Sequence, residues 1–324
     1  MSTLAYIQTE MVRYGMSLYF ALGVFGNIFT CIIFIQPSHR RATSSIYFIS
    51  FSIFAIVYLI WSLFPYFYTL NYPDIASRNI SYCKIRLYVS HVLGQYLRFC
   101  VVFVCIDRFL ATRADARVRL LNSTALAKKL LLIMIIGCPL IAIHLPILIQ
   151  IQNNVCSQFG IYKLIYAIYQ LFIIGIVPHV LMSVFSILAI ISLRQRHNSQ
   201  QRAKRRDRYL ARMVVVEVVL NVLTSVPYSI NLIYGAVTYS TSKTSERIQI
   251  ESFITFVTTF QIYLVSVIPF YLFLLTAKPF RKEFFNVIGK YGCKCIFRHV
   301  QVTPSIDHYM AASINQHRDV SGVL

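Results

Sequence analysis

The chain has 324 residues, of which 57% are hydrophobic and 13% are charged. In a soluble domain about a quarter of the residues are charged, so this composition excludes an ordinary soluble protein. The net charge of +20 would suit a nucleic-acid partner. However, the basic residues gather in alternate connectors between apolar stretches, which is typical of a membrane protein.

Seven apolar stretches are each long enough to cross a bilayer as a helix, which takes about 20 residues. In chain order they are predicted at residues 14–36, 46–70, 87–110, 130–151, 162–193, 209–237 and 252–276. The predicted fold is therefore an all-α membrane protein, a seven-transmembrane helix bundle over residues 14–276. Residues 1–13 are too short and too polar for a cleavable signal peptide, so we expect the first helix to act as an uncleaved anchor.

The basic connectors predict the orientation of the chain in the membrane. They hold Arg40 and Arg41, the residues from Arg113 to Lys129, the run 194–212 and the segment from Lys278 onward. The positive-inside rule places these connectors in the cytosol, residues 1–13 outside and the tail 291–324 inside. We expect a multi-pass plasma-membrane protein with an extracellular N-terminus and a cytoplasmic C-terminus. The basic run also favours contact with membrane lipids over binding of nucleic acid.

The eight cysteines do not form a dense disulfide framework. Four of them lie in apolar runs and are predicted to be small core residues: Cys31, Cys100, Cys105 and Cys138. Cys83 and Cys156 fall in connectors predicted to be outside, which is an oxidising compartment, so they form the one plausible disulfide. Cys293 and Cys295 follow the last stretch on the cytosolic side and are either palmitoylation sites or plain thiols.

Residues 279–290, with the sequence PFRKEFFNVIGK, predict an amphipathic eighth helix at the membrane surface. A proline stands at its start, and Phe280, Phe284 and Ile288 share one face. The basic residues of this segment suit anionic lipid headgroups.

Asn79, Ile80 and Ser81 form an N-glycosylation sequon in a connector predicted to be outside, so Asn79 is a candidate glycosylation site. The closeness of this sequon to Cys83 and the membrane argues against modification. A second sequon at Asn122 falls in a connector predicted to be cytosolic and should stay unmodified.

These features together resemble a rhodopsin-like (family A) G-protein-coupled receptor over about residues 14–290. The residues that carry the resemblance are Gly26-Asn27, Cys83, the run Asp107-Arg108-Phe109, and Pro178, Pro227 and Pro269. The chain from Cys83 to Arg108 would span about 37 Å as a helix, at about 1.5 Å per residue, and that length crosses a bilayer. The resemblance is to a divergent, invertebrate-type member similar to peptide receptors.

The chain departs from the family pattern at several positions. Ala55 stands where the second helix usually has an aspartate, which argues against the sodium site of the family. Ser225 stands where a tryptophan is common, and SVIPF at 266–270 replaces the usual Asn-Pro-x-x-Tyr. The inner activation motif is thus only partly represented, and a signalling-deficient receptor-like protein is an alternative.

The resemblance implies that Asp107 and Arg108 belong to the switch that couples the receptor to a G protein. Asp207 precedes Pro227 at the distance where many members carry an acid. An ion pair between Arg108 and Asp207 would hold the inactive state, and ligand binding would release Arg108 for a Gα helix. The alternative is that Asp107 and Arg108 only cap a helix and mark the membrane interface.

Arg98 and Glu217 are charged residues predicted to lie inside the membrane, where charges usually indicate function. Arg98 is as far along the chain from Arg108 as Glu217 is from Asp207, about 15 Å of helix. If Arg108 and Asp207 lie at one depth in the membrane, Arg98 and Glu217 should therefore also lie at one depth. However, the same spacing turns the two side chains away from the face that Arg108 and Asp207 share. An ion pair between them is one interpretation. The other is a polar stripe of Glu217, Asn221 and Ser225.

The outer half of the bundle is the expected ligand site. Its candidate contacts are the polar residues Tyr66, Ser90, His91, Gln95, Tyr228, Asn231, Thr258 and Gln261. Ser90 stands where amine receptors carry an aspartate, and the seventh stretch has no lysine, which excludes a retinal Schiff base. The pocket is predicted to be polar but uncharged, so we expect a peptide or a small neutral molecule.

We therefore expect a receptor that senses an extracellular ligand and activates a heterotrimeric G protein. It should need no cofactor or metal, and we expect neither an enzyme nor a nucleic-acid partner. The alternative is a seven-helix transporter or channel, which would need a continuous polar path. Arg98, Glu217 and Asn221 are the residues that hint at one.

Overall fold

The computed structural model describes residues 3–37, 42–113, 115–195 and 201–300, and the side chains of residues 116, 194–195, 201–213 and 290–300 lie outside this description. Within the described ranges, seven helices are long and apolar enough to cross a membrane. The prediction of a multi-pass, seven-helix membrane protein is therefore confirmed.

The spanning helices follow one another in chain order. They are α1 (Thr3–Ile35), α2 (Ser44–Thr69), α3 (Ile80–Thr112), α4 (Thr124–Leu148), α5 (Ile161–Leu193) and α6 (Gln201–Val237). The seventh, α7, consists of three consecutive segments, Ser245–Ile262, Leu264–Val267 and Pro269–Thr276. An eighth helix, α8, runs from Lys278 to Val300, further than the predicted 279–290. The described residues up to Arg281 form one compact unit, and the described residues from Lys282 to Val300 belong to a second unit.

Side-chain caps explain where several helices begin. The Oδ1 atom of Asn79 accepts a hydrogen bond from the backbone N of Tyr82 at 3.0 Å and so caps α3. Ser123 caps α4 in the same way through the backbone N of Leu126, at 3.2 Å. Because Asn79 is a cap, α3 begins at Ile80 rather than at residue 87, and Cys83 lies in its first turn.

The helix α3 is the central element of the bundle. In the most apolar 18-residue stretch of α3, 72% of the residues are buried, against 50% or less in the corresponding stretch of each other spanning helix. It packs against α2, α4, α5 and α6. Functional groups on α3 are therefore positioned from several sides, which limits their freedom.

Gly26 and Asn27 fix the contact between α1 and α7. A Cβ atom on Gly26 would lie 2.9 Å from the Cβ of Phe270, so only glycine allows this close approach. The Nδ2 atom of Asn27 donates to the carbonyl oxygens of Gly23 and Ser266, each at 2.8 Å. The Gly-Asn pair thus has a structural role in addition to its value as a family signal.

A short hairpin follows α4, and it was not predicted. Its strands β1 (Gln150–Gln152) and β2 (Val155–Ser157) pair antiparallel, with Ile151 opposite Cys156. Asn153 and Asn154 form the turn with φ angles of 49° and 60°, a conformation that asparagine tolerates better than most residues. The predicted disulfide between Cys83 and Cys156 is present, with the two Cα atoms 5.8 Å apart. It joins the first turn of α3 to β2, and we call this end of the bundle the disulfide end.

Candidate functional site

A cavity of about 380 Å³ lies between the helices at the disulfide end. Its lining residues come from α3, from the four spanning helices α2, α5, α6 and α7, and from the hairpin. The residues are Tyr58, Ser62 and Tyr66 of α2; Arg86, Leu87, Ser90, His91, Gly94 and Arg98 of α3; Cys156; Tyr166, Gln170 and Ile174 of α5; Tyr228 of α6; and Thr255, Thr259, Ile262 and Tyr263 of α7. Its volume falls in the range of about 300–1,000 Å³ that is typical of small-molecule sites.

Four of the eight residues predicted to contact a ligand line this cavity, namely Tyr66, Ser90, His91 and Tyr228. Gln95 lies behind them and is buried. Its Nε2 atom is 2.8 Å from the Tyr169 hydroxyl and 2.7 Å from Nε2 of His91. Gln95 therefore positions His91 and does not line the cavity.

The other three predicted contacts are directed elsewhere. Asn231 donates from Nδ2 to the Thr255 hydroxyl at 3.1 Å, and Gln261 donates from Nε2 to the Leu223 carbonyl at 3.1 Å. Thr258 donates to the carbonyl of Ile254 in its own helix. On α7, the face with Thr255, Thr259 and Ile262 lines the cavity instead.

Arg98 forms part of the cavity floor and is only 3% exposed. Its Nη1 atom donates to the Gly94 carbonyl at 2.9 Å, and its Nη2 atom lies 3.4 Å from the Ser225 hydroxyl. The Nε atom is buried without a hydrogen-bond partner. Among the described side chains, no carboxylate forms an ion pair with this guanidinium.

Arg86 is the second arginine of the cavity. Its Nη1 atom is 3.3 Å from Oδ1 of Asp74, and its guanidinium lies over the Tyr66 ring, 5.7 Å from the centroid. Two arginines and no carboxylate residue therefore line the cavity. The predicted uncharged pocket is corrected on this point, because the sequence alone did not show that Arg98 reaches it.

Glu217 lies in a different place from Arg98. It is 2% exposed, and neither carboxylate oxygen has a hydrogen-bond partner in the described part of the chain. It lines a second cavity of about 10 Å³ together with Asn27, Thr30 and Ser52. The structure therefore contains no Arg98–Glu217 ion pair. Asn221 donates to the Glu217 carbonyl at 3.0 Å, which agrees with the alternative of a polar stripe along α6.

At the other end of α3, Asp107 and Arg108 are both buried. The Nε atom of Arg108 donates to Oδ2 of Asp107 at 3.1 Å, and the Nη2 atom binds the same oxygen. The backbone carbonyl of Asp107 accepts from Nδ2 of Asn122 at 3.1 Å. The predicted partner Asp207 lies on the backbone of α6, but its side chain is outside the described residues, so the Arg108–Asp207 contact stays a prediction.

The modification sites are placed as follows. Asn79 and Ser81 of the sequon are exposed, and Asn79 also caps α3. Cys293 and Cys295 lie on the backbone of α8, with side chains outside the described residues.

Seven spanning helices around a cavity at one end, with a buried acid–arginine pair at the other end of the central helix, define a seven-helix membrane receptor. The family model described as 7 transmembrane receptor (rhodopsin family) matches residues 26–270. Since the match covers well over half of the chain, this protein belongs to that family, and the resemblance seen in the sequence is confirmed. Among curated proteins, none matches the chain closely enough to count as a relative.

Proposed function

We propose that this protein is a plasma-membrane receptor that binds an extracellular ligand in the 380 Å³ cavity and activates a heterotrimeric G protein. The observation that carries the proposal is the course of α3. One continuous helix, Ile80–Thr112, holds Arg98 at the cavity floor and Arg108 near its other end. A change at the cavity can therefore act on the Arg108 end through a single rigid element.

The contact between Arg98 and Ser225 suggests how ligand binding is transmitted. It joins α3 to α6 directly beneath the cavity. A ligand that draws the guanidinium away from Ser225 would weaken this link and favour movement of α6. Such a ligand shifts a two-state equilibrium by its higher affinity for one state. Release of Arg108 would then open a site for a Gα helix.

The same features support a proposed orientation of the chain in the membrane. The disulfide supports an extracellular position for the disulfide end, because stable disulfides need an oxidising compartment. The basic connectors support a cytosolic position for the opposite end.

The test is a signalling assay in cells that express the full chain with a promiscuous Gα subunit. A library of candidate ligands should yield a compound that activates the Gα subunit, and Arg108→Ala should abolish the response at matched surface expression. Receptor that reaches the surface, binds a ligand and never activates any Gα class would instead indicate a signalling-deficient receptor-like protein.

The transporter or channel alternative receives less support from the described residues. Arg98 and Glu217 line separate cavities, and the second has a volume of only about 10 Å³. The polar residues that hinted at a path therefore do not form one continuous opening. A ligand-evoked current or uptake that persists without G protein would favour this alternative.

A further inference from the structure

We infer that the ligand of the cavity carries a carboxylate group, which binds the guanidinium of Arg98 at the cavity floor. The inference deepens the proposed function, since it treats this cavity as the ligand site. The sequence favoured a peptide or a small neutral molecule, and the inference replaces the second of these two options.

The first observation is the unused hydrogen-bonding capacity of Arg98. A guanidinium has five N–H donors. Here one Nη1 bond to the Gly94 carbonyl is short, at 2.9 Å, whereas the Nη2 contact with Ser225 is long, at 3.4 Å. The Nε donor has no partner although it is buried. The side chain thus has donors available for a ligand.

The second observation is the missing negative charge. The two charged residues in the cavity lining are arginines, and Arg86 already pairs with Asp74. Glu217, the buried acid of α6, lines the other cavity. An arginine held in the membrane without a counter-ion is unfavourable. A bound anion would provide the missing charge.

The third observation is the shape and chemistry around Arg98. Carboxylates bind the planar guanidinium through two parallel hydrogen bonds, which makes arginine the usual residue for this recognition. Tyr58 and Tyr228 line the same cavity, and tyrosine hydroxyls can also donate to an anion. Leu87, Ile174 and Ile262 contribute apolar surface. The cavity therefore suits a molecule with one acidic group and an apolar or aromatic body.

The same arrangement disfavours cationic ligands. A ligand amine would meet two arginines and no carboxylate residue in the cavity lining. Like charges in a site of low dielectric repel each other strongly. Two sources of a carboxylate remain, a small organic acid and the free C-terminus of a peptide.

The experiment measures thermal unfolding of the full-length receptor purified in detergent. The probes are sodium acetate and sodium benzoate, each compared with sodium chloride of equal ionic strength, and benzamide as the neutral counterpart of benzoate. A ligand that binds only the folded state raises the unfolding temperature. Because organic anions also stabilise proteins non-specifically, the variants decide the outcome.

We expect acetate and benzoate to raise the unfolding temperature of the wild type above its value in chloride, whereas benzamide does not. Arg98→Gln should lose this response. Arg98→Lys, which keeps the charge but loses the planar fork, should weaken the binding of benzoate by about tenfold, because one hydrogen bond to a charged group is lost. The matched control is Arg13→Gln, the same change at an exposed arginine outside the cavity, and it should respond like the wild type.

Three results would overturn the inference. They are equal stabilisation by benzoate and benzamide, an undiminished benzoate response in Arg98→Gln, and no stabilisation of the wild type by either acid. If Arg98→Gln does not fold, Arg98→Lys decides alone, since unweakened benzoate binding in that variant contradicts the inference. Short aromatic peptides with free or amidated C-termini then distinguish a peptide from a small acid.

This assay contains no G protein, so it is independent of signalling. A receptor that binds benzoate through Arg98 and activates no Gα would contradict the proposed function and leave the inference intact. A receptor whose agonist signals equally well in wild type and Arg98→Gln would contradict the inference alone.

Discussion

Arg98 on α3 and Ser225 on α6 are joined by a hydrogen bond of 3.4 Å between Nη2 and Oγ. Both residues are buried, and the bond lies beneath the cavity at the disulfide end. Ser225 stands at the position where the family often has a large aromatic side chain. At this position a hydrogen bond between two helices thus replaces the packing of a large aromatic side chain.

Removal of this bond should raise basal signalling. In Ser225→Ala the link between α3 and α6 is lost, at a cost to the inactive state of about 1 kcal/mol, which corresponds to about a fivefold change in a two-state equilibrium. Basal Gα activation at matched surface expression measures the effect. The control is Thr224→Val, because the neighbouring Thr224 hydroxyl bonds only within α6, to the carbonyls of Leu220 and Asn221. Equal basal activity in wild type and Ser225→Ala would show that the bond does not hold the inactive state.

Loss of the disulfide should prevent surface expression. Cys83→Ala and Cys156→Ala each open a covalent loop of 73 residues. Closing a loop of this size by a disulfide stabilises the folded state by up to ~5 kcal/mol. The double variant should be no worse than either single variant, because both remove the same bond. Cys138→Ala is the control, since Cys138 is a buried free thiol. Peptide mapping that finds Cys83 and Cys156 as free thiols in the surface-expressed receptor would contradict the prediction.

Arg98 and Glu217 should contribute independently to stability. They line different cavities and share no contact in the described structure. In a double-mutant cycle with Arg98→Gln and Glu217→Gln, the changes in the free energy of unfolding should add to within about 0.5 kcal/mol. A coupling energy above about 1 kcal/mol would indicate that the two charges interact.

The Arg108 end should give opposite effects from two substitutions. If Asp207 holds the buried Arg108, then Asp207→Ala raises basal signalling by about fivefold or more, since a loss of ~1 kcal/mol already changes a two-state equilibrium about fivefold. Arg108→Ala should abolish coupling, because the arginine is also the proposed contact for Gα. Ligand binding should survive in Asp207→Ala. Asp115→Ala serves as the control, because Asp115 only caps a short exposed helix after α3. If signalling is unchanged in both Asp207→Ala and Arg108→Ala, then Asp107 and Arg108 only stabilise the end of α3 and do not form a switch.

The number and order of the spanning helices could be predicted from hydropathy, because each must bury its backbone in lipid with about 20 apolar residues. The start of α1 at Thr3 was missed. Its first turns carry Glu10 and Arg13, which lowered the apparent hydropathy. In the structure these residues neutralise each other in an ion pair of 3.0 Å. The hairpin was missed because strands of three residues leave almost no periodic signal.

The candidate site could be predicted only in part. Tyr66 on α2, Ser90 and His91 on α3 and Tyr228 on α6 line the cavity as predicted, whereas Gln95 on α3 and Asn231 on α6 do not. On α7, polar residues occur on more than one face, and the sequence could not tell which face turns inward. Thr255 and Thr259 face the cavity, whereas Thr258 and Gln261 do not line it. The position of Arg98 at the cavity floor depended on packing between helices, which a single sequence does not contain.

The helix α3 has a mechanical consequence for the receptor. It contains no proline, whereas α6 contains Pro227 and α7 ends in a segment that starts at Pro269. A missing backbone hydrogen bond at a proline makes bending there easier. The buried central helix thus lacks such a bending point, whereas its neighbours α2, α4 and α6 each contain one, at Pro65, Pro139 and Pro227. Any force that a ligand exerts at Arg98 should leave α3 straight and appear as a bend of its neighbours.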